Sequence, residues 1–454
     1  MGIGGISMSG LARHYQLEGF RVTGCDATSS TTTRALIESG IPVAVGHDPA
    51  HLEGVDTLIS TMAAPNERVS GSVEEIRAAL ELGISSIKRV DLLGRLFRER
   101  TAIGVSGSHG KSTITGMIAG IFLELADDPS VQIGANLPDI GGNMRHGRGK
   151  WLVAEVDESD PGFARLESGI AVLPNLEDDH VANHFEERRN YHASLADLEA
   201  AMRSFAGKAS RLIWCRDSAL LGELFGDSTE ALTYGFASGA DFRITDVQLT
   251  PGGSTYTLSV RDGGSIRVAL QVPGLHNAQN SAAALAAAHT AGLDLQQAAE
   301  VLGGFKGVGR RWQSWGTANG ALVIDDYAVH PAEVKATLAV ARNTGRRVLA
   351  VLQPHRWVRT ALHWEALADA ATAADEVLVL DVYAAGEQPV PGVTPADIVN
   401  RIRAAGRVAG HFTAENAIEH LQRAVGENDL VVTLGAGDVW RVAAGLTGRS
   451  AEKD

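Results

Sequence analysis

The 454-residue chain has little cysteine, little lysine, few aromatic residues and no long apolar run. Its two cysteines, Cys25 and Cys215, lie far apart in sequence, which excludes a disulfide framework and a cluster of cysteine ligands for a metal. No apolar run approaches the ~18 residues of a membrane-spanning helix, and no signal peptide is recognisable. These absences favour a cytoplasmic protein without membrane insertion.

A positive net charge is also missing. The formal charge is −14, so binding to nucleic acid or to an anionic membrane through bulk charge is unfavourable. Local sites built from arginines and backbone amides can still hold small polyanions. Only seven of the 40 basic residues are lysines, so each lysine is a candidate for a specific role.

Glycine, in contrast, is abundant, with 51 residues, and many glycines follow short apolar runs that lead into amphipathic stretches. This alternation predicts α/β architecture with parallel sheets covered by helices on both faces. The apolar runs are RVTGCD, TLIST, AIGVSGS, WLVAEVDES, IAVLPNL, RLIWCR, ALVIDDY, RVLAVLQP, EVLVLDVY and DLVVTLGAG. Residues 231–272 alternate apolar and polar side chains around Gly-Gly turns, which predicts antiparallel hairpins.

The clearest chemical motif is GVSGSHGKST at 104–113, between a predicted strand and a predicted helix. Gly107, Gly110, Lys111 and Ser112 satisfy the compact phosphate-loop pattern G-x-x-G-K-S, although Val105 stands where the full pattern has glycine. Small residues allow backbone amides to surround phosphate oxygens, the lysine neutralises them, and the serine hydroxyl suits Mg²⁺. A plain glycine-rich turn is the alternative interpretation.

Two acidic segments follow the next predicted strands. VAEVDESD carries Glu155, Asp157, Glu158 and Asp160, and NLEDDH ends in His180. Carboxyl ends of parallel strands share one edge of a sheet, so both segments are expected beside the phosphate loop. Their oxygen ligands suit Mg²⁺, whereas solvated loop acids remain the alternative.

A weaker nucleotide signal stands at the N-terminus. MGIGGISMSG resembles a glycine-rich turn before a helix, but Ser7 interrupts G-x-G-x-x-G. Asp26, at the end of the next strand, is suitably placed for a ribose hydroxyl. Tight helix packing explains these glycines about equally well. Such a turn normally follows a strand, so we expect that a first strand of about 5–6 residues is missing here.

These motifs occur in one order with others along nearly the whole chain. The set comprises GSHGKST, VAEVDESD, NLEDDH, PGLHNAQNSAAALA, FKGVGRR, DDY-x-x-HP, QPHRWVRT, DVYAAGEQPVPGV and LGAGDVW. With them the chain resembles the Mur ligases, and within that family the members that join L-alanine to UDP-N-acetylmuramate. The later motifs, QPHR-x-x-RT, YAAGE and LGAGD, are more specific for this family than the phosphate loop.

The resemblance implies three α/β domains and a peptidoglycan precursor ligase. Residues 1–99 would form a Rossmann-like domain for the UDP-sugar, residues 100–305 a P-loop ATPase-type domain with extra antiparallel strands, and residues 306–454 a Rossmann-like domain closing over the amino acid. The lactyl carboxylate of UDP-N-acetylmuramate would attack the γ-phosphate of ATP, and the amine of L-alanine would then attack the acyl phosphate. Mg²⁺ is the expected metal, and a monomer or weak homodimer the expected state.

The resemblance also assigns site residues. For catalysis it implies Lys111, Glu155, His180, His330, Arg356 and Arg359. For ATP it implies Gly107, Ser108, His109, Gly110, Lys111, Ser112, Thr113, Asn277, Asn280, Arg311 and Asp326. For the UDP-sugar it implies Gly2, Gly4, Gly5, Ser9 and Asp26. For the amino acid and carboxylate it implies Tyr327, His330, Arg356 and Arg359, and for the metal Ser112, Glu155 and His180. Trp312 and Trp315 are expected in packing between domains.

Two departures from the family pattern qualify these assignments. No lysine lies between Lys150 and Lys208, so the carbamylated lysine that several Mur ligases use is expected to be absent. Ala328 and Val329 replace the usual Gly-His before His330, which removes one family histidine.

Other functions fit parts of the sequence. A ligase that recycles murein peptides shares the phosphate loop and the asparagine motif but has different C-terminal motifs. A nicotinamide-dependent oxidoreductase would leave 104–113 unused. A P-loop switch protein would leave the C-terminal arginines without a role.

Overall fold

The computed structural model describes residues 1–61, 71–181, 192–261 and 263–449. It confirms the α/β class, with a ten-stranded and a six-stranded sheet and two strand pairs. The large sheets fall within 101–270 and 313–434. The predicted domain boundaries, after residues 99 and 305, lie outside both sheets and stay a prediction.

The N-terminal segment contains two parallel strand pairs, β1 with β2 and β3 with β4. Residues 1–3 connect the pairs, because the Met1 amine donates to Ile59 O at 2.8 Å while the Gly2 and Ile3 amides donate to Cys25 O. The elements here are α1 (Ile6–Leu17), β1 (Gly24–Asp26), α2 (Thr31–Glu38), β2 (Val43–Val45), β3 (Thr57–Ser60), α3 (Ser72–Glu81), β4 (Ser85–Lys88) and α4 (Arg89–Glu99).

The ten-stranded sheet occupies the middle of the chain. Its elements are β5 (Thr101–Val105), α5 (Lys111–Leu125), β6 (Ser130–Leu137), β7 (Gly142–Arg145), β8 (Trp151–Glu155), β9 (Ile170–Leu173), α6 (Leu195–Gly207), β10 (Arg211–Cys215), α7 (Ala219–Phe225), β11 (Leu232–Gly235), β12 (Phe242–Thr250), β13 (Gly253–Val260), β14 (Ser265–Leu270), α8 (Leu275–Thr290) and α9 (Leu295–Leu302). The strand order is β14-β13-β12-β11-β10-β9-β5-β8-β6-β7. Strands β12, β13 and β14 pair antiparallel, which confirms the predicted hairpins.

Apolar side chains cover both faces of this sheet. Helices α5 and α8 pack together on one face, where the alanines of α8 present only methyl groups and so permit a close approach. On the other face, Phe163 and Phe205 pack with α4 and α6 in a second buried cluster. This two-sided burial keeps β5, at the centre, away from solvent.

The C-terminal sheet has the order β15-β16-β20-β17-β18-β19, and only β15 runs antiparallel to its neighbour. Its elements are β15 (Gln313–Ala318), β16 (Ala321–Asp326), α10 (Pro331–Asn343), β17 (Arg347–Leu352), α11 (Trp357–Ala371), β18 (Glu376–Val379), α12 (Pro395–Ala404), β19 (Val408–His411), α13 (Ala414–Ala424), β20 (Asp429–Leu434) and α14 (Trp440–Thr447).

Trp315 corrects one expectation. Its ring is buried and stacks on Trp440 with centroids 6.3 Å apart, inside the core of the C-terminal sheet. It therefore stabilises one sheet and its covering helix, and does not pack between domains. Within the described ranges, every helix is too short or too polar to cross a lipid bilayer.

Candidate active site

The phosphate loop lies at the centre of the edge where the middle sheet's parallel strands end. Strand β5 leads into the loop and lies between β8 and β9. The acidic segment 155–160 follows β8, and the segment 174–180 follows β9. Both predicted acidic segments therefore flank the loop, as the parallel-strand argument expects.

Two glycines give the loop its shape. Gly107 has φ +148°, and a Cβ there would lie 2.5 Å from the Asn175 carbonyl oxygen. Gly110 has φ +84° at the N-cap of α5, and a Cβ there would lie 2.8 Å from Asn280 Oδ1. Any larger residue would push the loop off the segments that support it, so the cradle requires glycine at both places.

Lys111 points back into the loop. Its ammonium donates to Gly107 O at 2.6 Å and to Ser108 O at 3.2 Å, and it lies 2.8 Å from Glu158 Oε2. Burial alone would lower the pKa of Lys111, but the carboxylates of Glu158 and Asp157 raise it, so the lysine stays charged. Glu158 is fully buried, and that burial raises its pKa to about 7 despite the lysine.

The residues expected to hold a metal lie around this lysine. Glu155 Oε2 accepts the Gly134 amide at 2.7 Å. His180, with φ +60°, has its Nε2 3.7 Å from Glu158 Oε1 and 3.1 Å from Arg359 Nη2. Burial lowers the pKa of His180 to about 4, so the ring is neutral near pH 7. A neutral imidazole can accept a hydrogen bond or bind a metal.

His109, within the loop, contacts the C-terminal domain. Its Nδ1 lies 3.3 Å from Glu333 Oε1, and its Nε2 lies 3.3 Å from Glu177 Oε2. Burial opposes protonation, yet these carboxylates, Glu333 foremost, raise the pKa of His109 to about 10. Arg311 approaches the same Glu333 oxygen at 3.3 Å. Glu333 thus bridges a cationic ring of the phosphate loop and a cationic side chain of the other domain.

His330 stacks on His109, with ring centroids 4.7 Å apart. Burial and the charge on His109 lower the pKa of His330 to about 4. It is the N-cap residue of α10. The two rings therefore carry different protonation states at neutral pH: His109 is cationic and His330 is neutral.

A cavity of about 280 Å³ opens between the loop and the C-terminal domain. Asn277, Asn280, Arg311 and Asp326 line it, together with His109, Gly110 and Thr113 of the loop. Asp326 accepts the amides of Trp312 and Ala328, and burial raises its pKa to about 6. Seven of the predicted ATP-binding residues therefore face one space, and Trp312 lies on its wall.

The C-terminal arginines are held by carboxylates. Arg359 forms a two-pronged ion pair with Asp179, at 3.0 and 3.1 Å, and both side chains are buried. This pair links α11 to the segment after β9. Arg356, with φ +66°, donates from Nε to Glu387 Oε1 at 2.8 Å. Two-pronged pairs fix the plane of a guanidinium and so orient its remaining donors.

Tyr327 lies beside this cleft and is partly exposed. The guanidiniums of Arg310 and Arg311 lie 5.3 and 5.2 Å from its ring centre. Arg310 is itself fixed by Asp325 at 2.8 Å. Both guanidiniums are therefore within the range of a cation–π contact with this ring.

A separate cavity of about 470 Å³ lies at the N-terminal glycine turn. Gly2, Gly4, Gly5 and Asp26 line it, and the Gly4 amide donates to Asp26 Oδ2 at 2.8 Å. Ser9, which the resemblance also assigns to the UDP-sugar, is buried on α1, and its hydroxyl donates to Ile6 O. A serine in the first helical turn commonly bonds the backbone in this way.

Several residues that organise these sites were not predicted. They are Arg89, Glu177, Glu333 and Glu387, with Glu158 recognised only as a member of an acidic segment. Glu333 had a detectable signal, since Pro331 followed two residues later by an acid is typical of a helix N-terminus. Glu387 stands in the YAAGE motif. Nothing in the sequence indicates that Glu177 would contact the histidines.

Known protein families match most of this chain. Three family models match the chain: "Mur ligase family, catalytic domain" over residues 1–101, "Mur ligase middle domain" over 105–288 and "Mur ligase, glutamate ligase domain" over 310–437. The UDP-N-acetylmuramate–L-alanine ligase of Deinococcus radiodurans is 42% identical over 99% of this chain and 93% of its own length. That of Pelotomaculum thermopropionicum is 37% identical over 100% and 97%.

Solved structures agree. The crystal structure of the UDP-N-acetylmuramate-alanine ligase MurC from Thermotoga maritima has a TM-score of 0.82 at 26% identity, covering 98% of this chain and 97% of its own. A murein peptide ligase from Psychrobacter arcticus has a TM-score of 0.71 at 22% identity, covering 99% and 98%. At that identity, the second likeness concerns the fold alone.

The loop geometry yields a first prediction. Gly107→Ala is expected to weaken ATP binding at least about tenfold, because a strained backbone costs about 1–3 kcal/mol and the new Cβ would also strike the Asn175 carbonyl. Isothermal titration calorimetry measures the effect. Gly120→Ala, within α5, is the control, since its Cβ would come no closer than 3.9 Å to a neighbour. Equal ATP affinity in the two variants would contradict the prediction.

The buried ion pair between Asp179 and Arg359 yields a second prediction. Asp179→Ala leaves the buried Arg359 without its carboxylate, which typically costs about 3–5 kcal/mol. We expect the middle and C-terminal parts to separate more readily, with a larger radius of gyration in small-angle X-ray scattering. Asp369→Ala removes an exposed partner of Arg401 and should leave the scattering curve unchanged. Identical curves for both variants would show that the buried pair does not hold the domains together.

Proposed function

The chain belongs to the Mur ligase family, and from this premise we propose that it joins UDP-N-acetylmuramate to L-alanine, converting ATP to ADP and phosphate. It is a ligase that forms a C–N bond, and its product is a precursor of peptidoglycan. The observation that carries the proposal is the cavity in which His109, Gly110 and Thr113 of the phosphate loop face Arg311 of the C-terminal domain.

The reaction has two steps. The lactyl carboxylate oxygen attacks the γ-phosphorus of ATP, ADP leaves, and an acyl phosphate forms. The amine of L-alanine then attacks the acyl carbon, loses a proton, and expels inorganic phosphate as the amide forms. The first step brings two anions together, so it requires fixed positive charge around the transferred group.

Three side chains of this protein supply that positive charge. Lys111 projects from the phosphate loop, Arg311 lines the nucleotide cavity, and His109 is cationic at neutral pH. Glu158 Oε2 pairs with the Lys111 ammonium at 2.8 Å. A bound phosphate would share or replace that partner, which leaves the ammonium on the phosphate oxygens.

The residues present fit a magnesium ion. Glu155 and Glu158 offer carboxylate oxygens near Lys111: Glu158 Oε2 lies 2.8 Å from the ammonium, and Glu158 Oε1 is buried without a hydrogen bond among the described residues. Ser112 adds a hydroxyl at the start of α5. Mg²⁺ bound there would neutralise charge that develops on the phosphoryl oxygens. His180 is neutral, as a ligand must be, but its Nε2 faces Arg359 at 3.1 Å, so metal binding at Nε2 requires that arginine to turn away.

The C-terminal domain would receive the carboxylate and the amino acid. Arg356 and Arg359 have planar guanidiniums fixed by Glu387 and Asp179, which supports a role in orienting a carboxylate. His330 is neutral at its N-cap position and has a nitrogen that can accept a proton. Shielding the acyl phosphate from water is the expected benefit of closing this domain over the loop.

The recycling ligase that attaches a murein peptide has less support. Relatives that are 35–42% identical over nearly the full chain act, by their names, on L-alanine. Two solved structures of murein peptide ligases are 22% and 26% identical to this chain.

A coupled assay tests the proposal. Phosphate release from ATP should require both UDP-N-acetylmuramate and L-alanine. Lys111→Ala should reduce turnover below detection yet leave calorimetric binding of the UDP-sugar unchanged, because the N-terminal cavity is separate. Lys335→Ala, an exposed lysine on α10, is the matched control. Equal ATP hydrolysis without acceptor would contradict the ligase function, and parallel loss of UDP-sugar binding would contradict the separation of the two sites.

Hydroxylamine tests the intermediate. With ATP, Mg²⁺ and UDP-N-acetylmuramate but no amino acid, added hydroxylamine should convert the acyl phosphate to a hydroxamate that mass spectrometry detects. Omitting ATP is the control. Failure to form any hydroxamate with folded, active enzyme would exclude a free acyl phosphate.

A further inference from the structure

A cluster of metal-ligand side chains lies in the N-terminal segment, outside the cleft described above. Cys25 is a buried residue of β1. His51 lies in the short 3-10 helix Pro49–Leu52 before β3, and Glu75 lies in the first turn of α3. One ligand atom from each lies within 4.8 Å of the other two. The elements that carry them are distant in sequence, so only the fold brings them together.

The contacts converge on one carboxylate. Cys25 Sγ lies 3.3 and 3.4 Å from the two Glu75 oxygens, and His51 Nδ1 lies 3.4 Å from Glu75 Oε1. His47 Nδ1 lies 2.9 Å from Glu75 Oε2 and 3.3 Å from Cys25 Sγ. Cys25 and Glu75 are almost fully buried, at 3% and 1% exposure.

These separations match the edges of a zinc tetrahedron. Bonds of about 2.0–2.3 Å at tetrahedral angles separate nitrogen, oxygen and sulfur ligands by about 3.3–3.6 Å. The pairs Cys25–Glu75 and His51–Glu75 lie at 3.3–3.4 Å. The third pair, Cys25 and His51, lies within 4.8 Å, so a shared ion would draw these two ligand atoms onto the same tetrahedron.

The charges also balance. A divalent cation bound by one thiolate and one carboxylate forms a neutral unit, which removes the electrostatic obstacle to burying Glu75. His51 Nδ1 is a buried nitrogen with no hydrogen bond in the described part of the chain, although Glu75 Oε1 lies 3.4 Å away. A metal would occupy that nitrogen.

We propose that Cys25, His51 and Glu75 bind a divalent transition metal of the Zn²⁺ class. On binding, the Cys25 thiol releases its proton to solvent and three protein–metal bonds form, with the fourth position taken by water. His47 is a positioning residue that holds the second oxygen of Glu75. The mixture of sulfur, nitrogen and oxygen ligands excludes Mg²⁺ and Ca²⁺, which take oxygen ligands.

The location gives the metal a structural role. Cys25 precedes Asp26, which lines the N-terminal cavity, and the Cys25 carbonyl accepts the amides of Gly2 and Ile3. A metal on Cys25 would therefore tie α3 and the segment before β3 to the strand that carries Asp26. It would stiffen the cavity floor without facing the cavity itself.

A second cluster offers a contrast. His14, Glu18 and His146 also lie within 4.8 Å of one another. There, however, Arg100 Nη2 lies 3.8 Å from the Glu18 oxygen and already supplies positive charge. Only one of its ligands is anionic, so a divalent ion would leave a net charge. This cluster therefore serves as a control.

The test uses the full-length protein, freed of metal by a chelator and checked for folding by circular dichroism. Equilibrium dialysis should find one Zn²⁺ per chain, and Co²⁺ should give the near-ultraviolet absorption of a cobalt–thiolate bond. Cys25→Ser should abolish that absorption, whereas Cys215→Ser, the other buried cysteine, should retain it. His47→Gln should weaken Zn²⁺ binding about 10–100-fold, as loss of a residue that orients a ligand typically does.

Further variants keep the result decisive if Cys25→Ser does not fold. His51 is partly exposed, with 28% of its side chain accessible, so His51→Gln should fold and lose most of its Zn²⁺ affinity. His146→Gln should bind as the parent does. Absence of cobalt–thiolate absorption in the parent, its persistence in Cys25→Ser, or loss of Zn²⁺ from His146→Gln instead of His51→Gln would overturn the proposal. The cluster would then be a hydrogen-bonded network without metal.

Discussion

The ion pair between Lys111 and Glu158 is the contact on which the active cleft depends. An unpaired ammonium or carboxylate would be costly at this depth, so each makes the burial of the other tolerable. The lysine's remaining hydrogens are taken by two carbonyls of its own loop. The loop is therefore preformed around a positive charge, and a phosphate has only to compete with one carboxylate.

Around that pair, opposite charges alternate across the boundary between the middle and C-terminal domains. Glu333 lies between His109 and Arg311, and Asp179 pairs with Arg359. Each carboxylate joins groups from both sides. Nucleotide binding and domain approach therefore involve the same residues, which is what a reaction that must exclude water from an acyl phosphate requires.

Much of this could be predicted from sequence, for physical reasons. Alternating apolar runs and glycine turns indicated the α/β class, which is confirmed. Alternating apolar and polar side chains in 231–272 indicated antiparallel hairpins, which β12–β14 form, whereas β11 at the start of this range pairs parallel. The family resemblance is confirmed as well. Contacts between segments that are distant in sequence could not be predicted. No local sequence pattern indicates that Glu177 lies beside His109. Ser9, assigned to the UDP-sugar by the family resemblance, bonds its own helix at Ile6 O, a contact that the sequence did not indicate.

Val329 illustrates how the fold tolerates a missing family histidine. Its backbone amide donates to Glu333 Oε2 at 3.0 Å, and the next amide, of His330, reaches the same oxygen at 3.3 Å. The start of α10 is thus secured by main-chain atoms that every residue except proline possesses. At position 329 this turn therefore uses only the main chain, whereas at position 333 it depends on the carboxylate of the side chain.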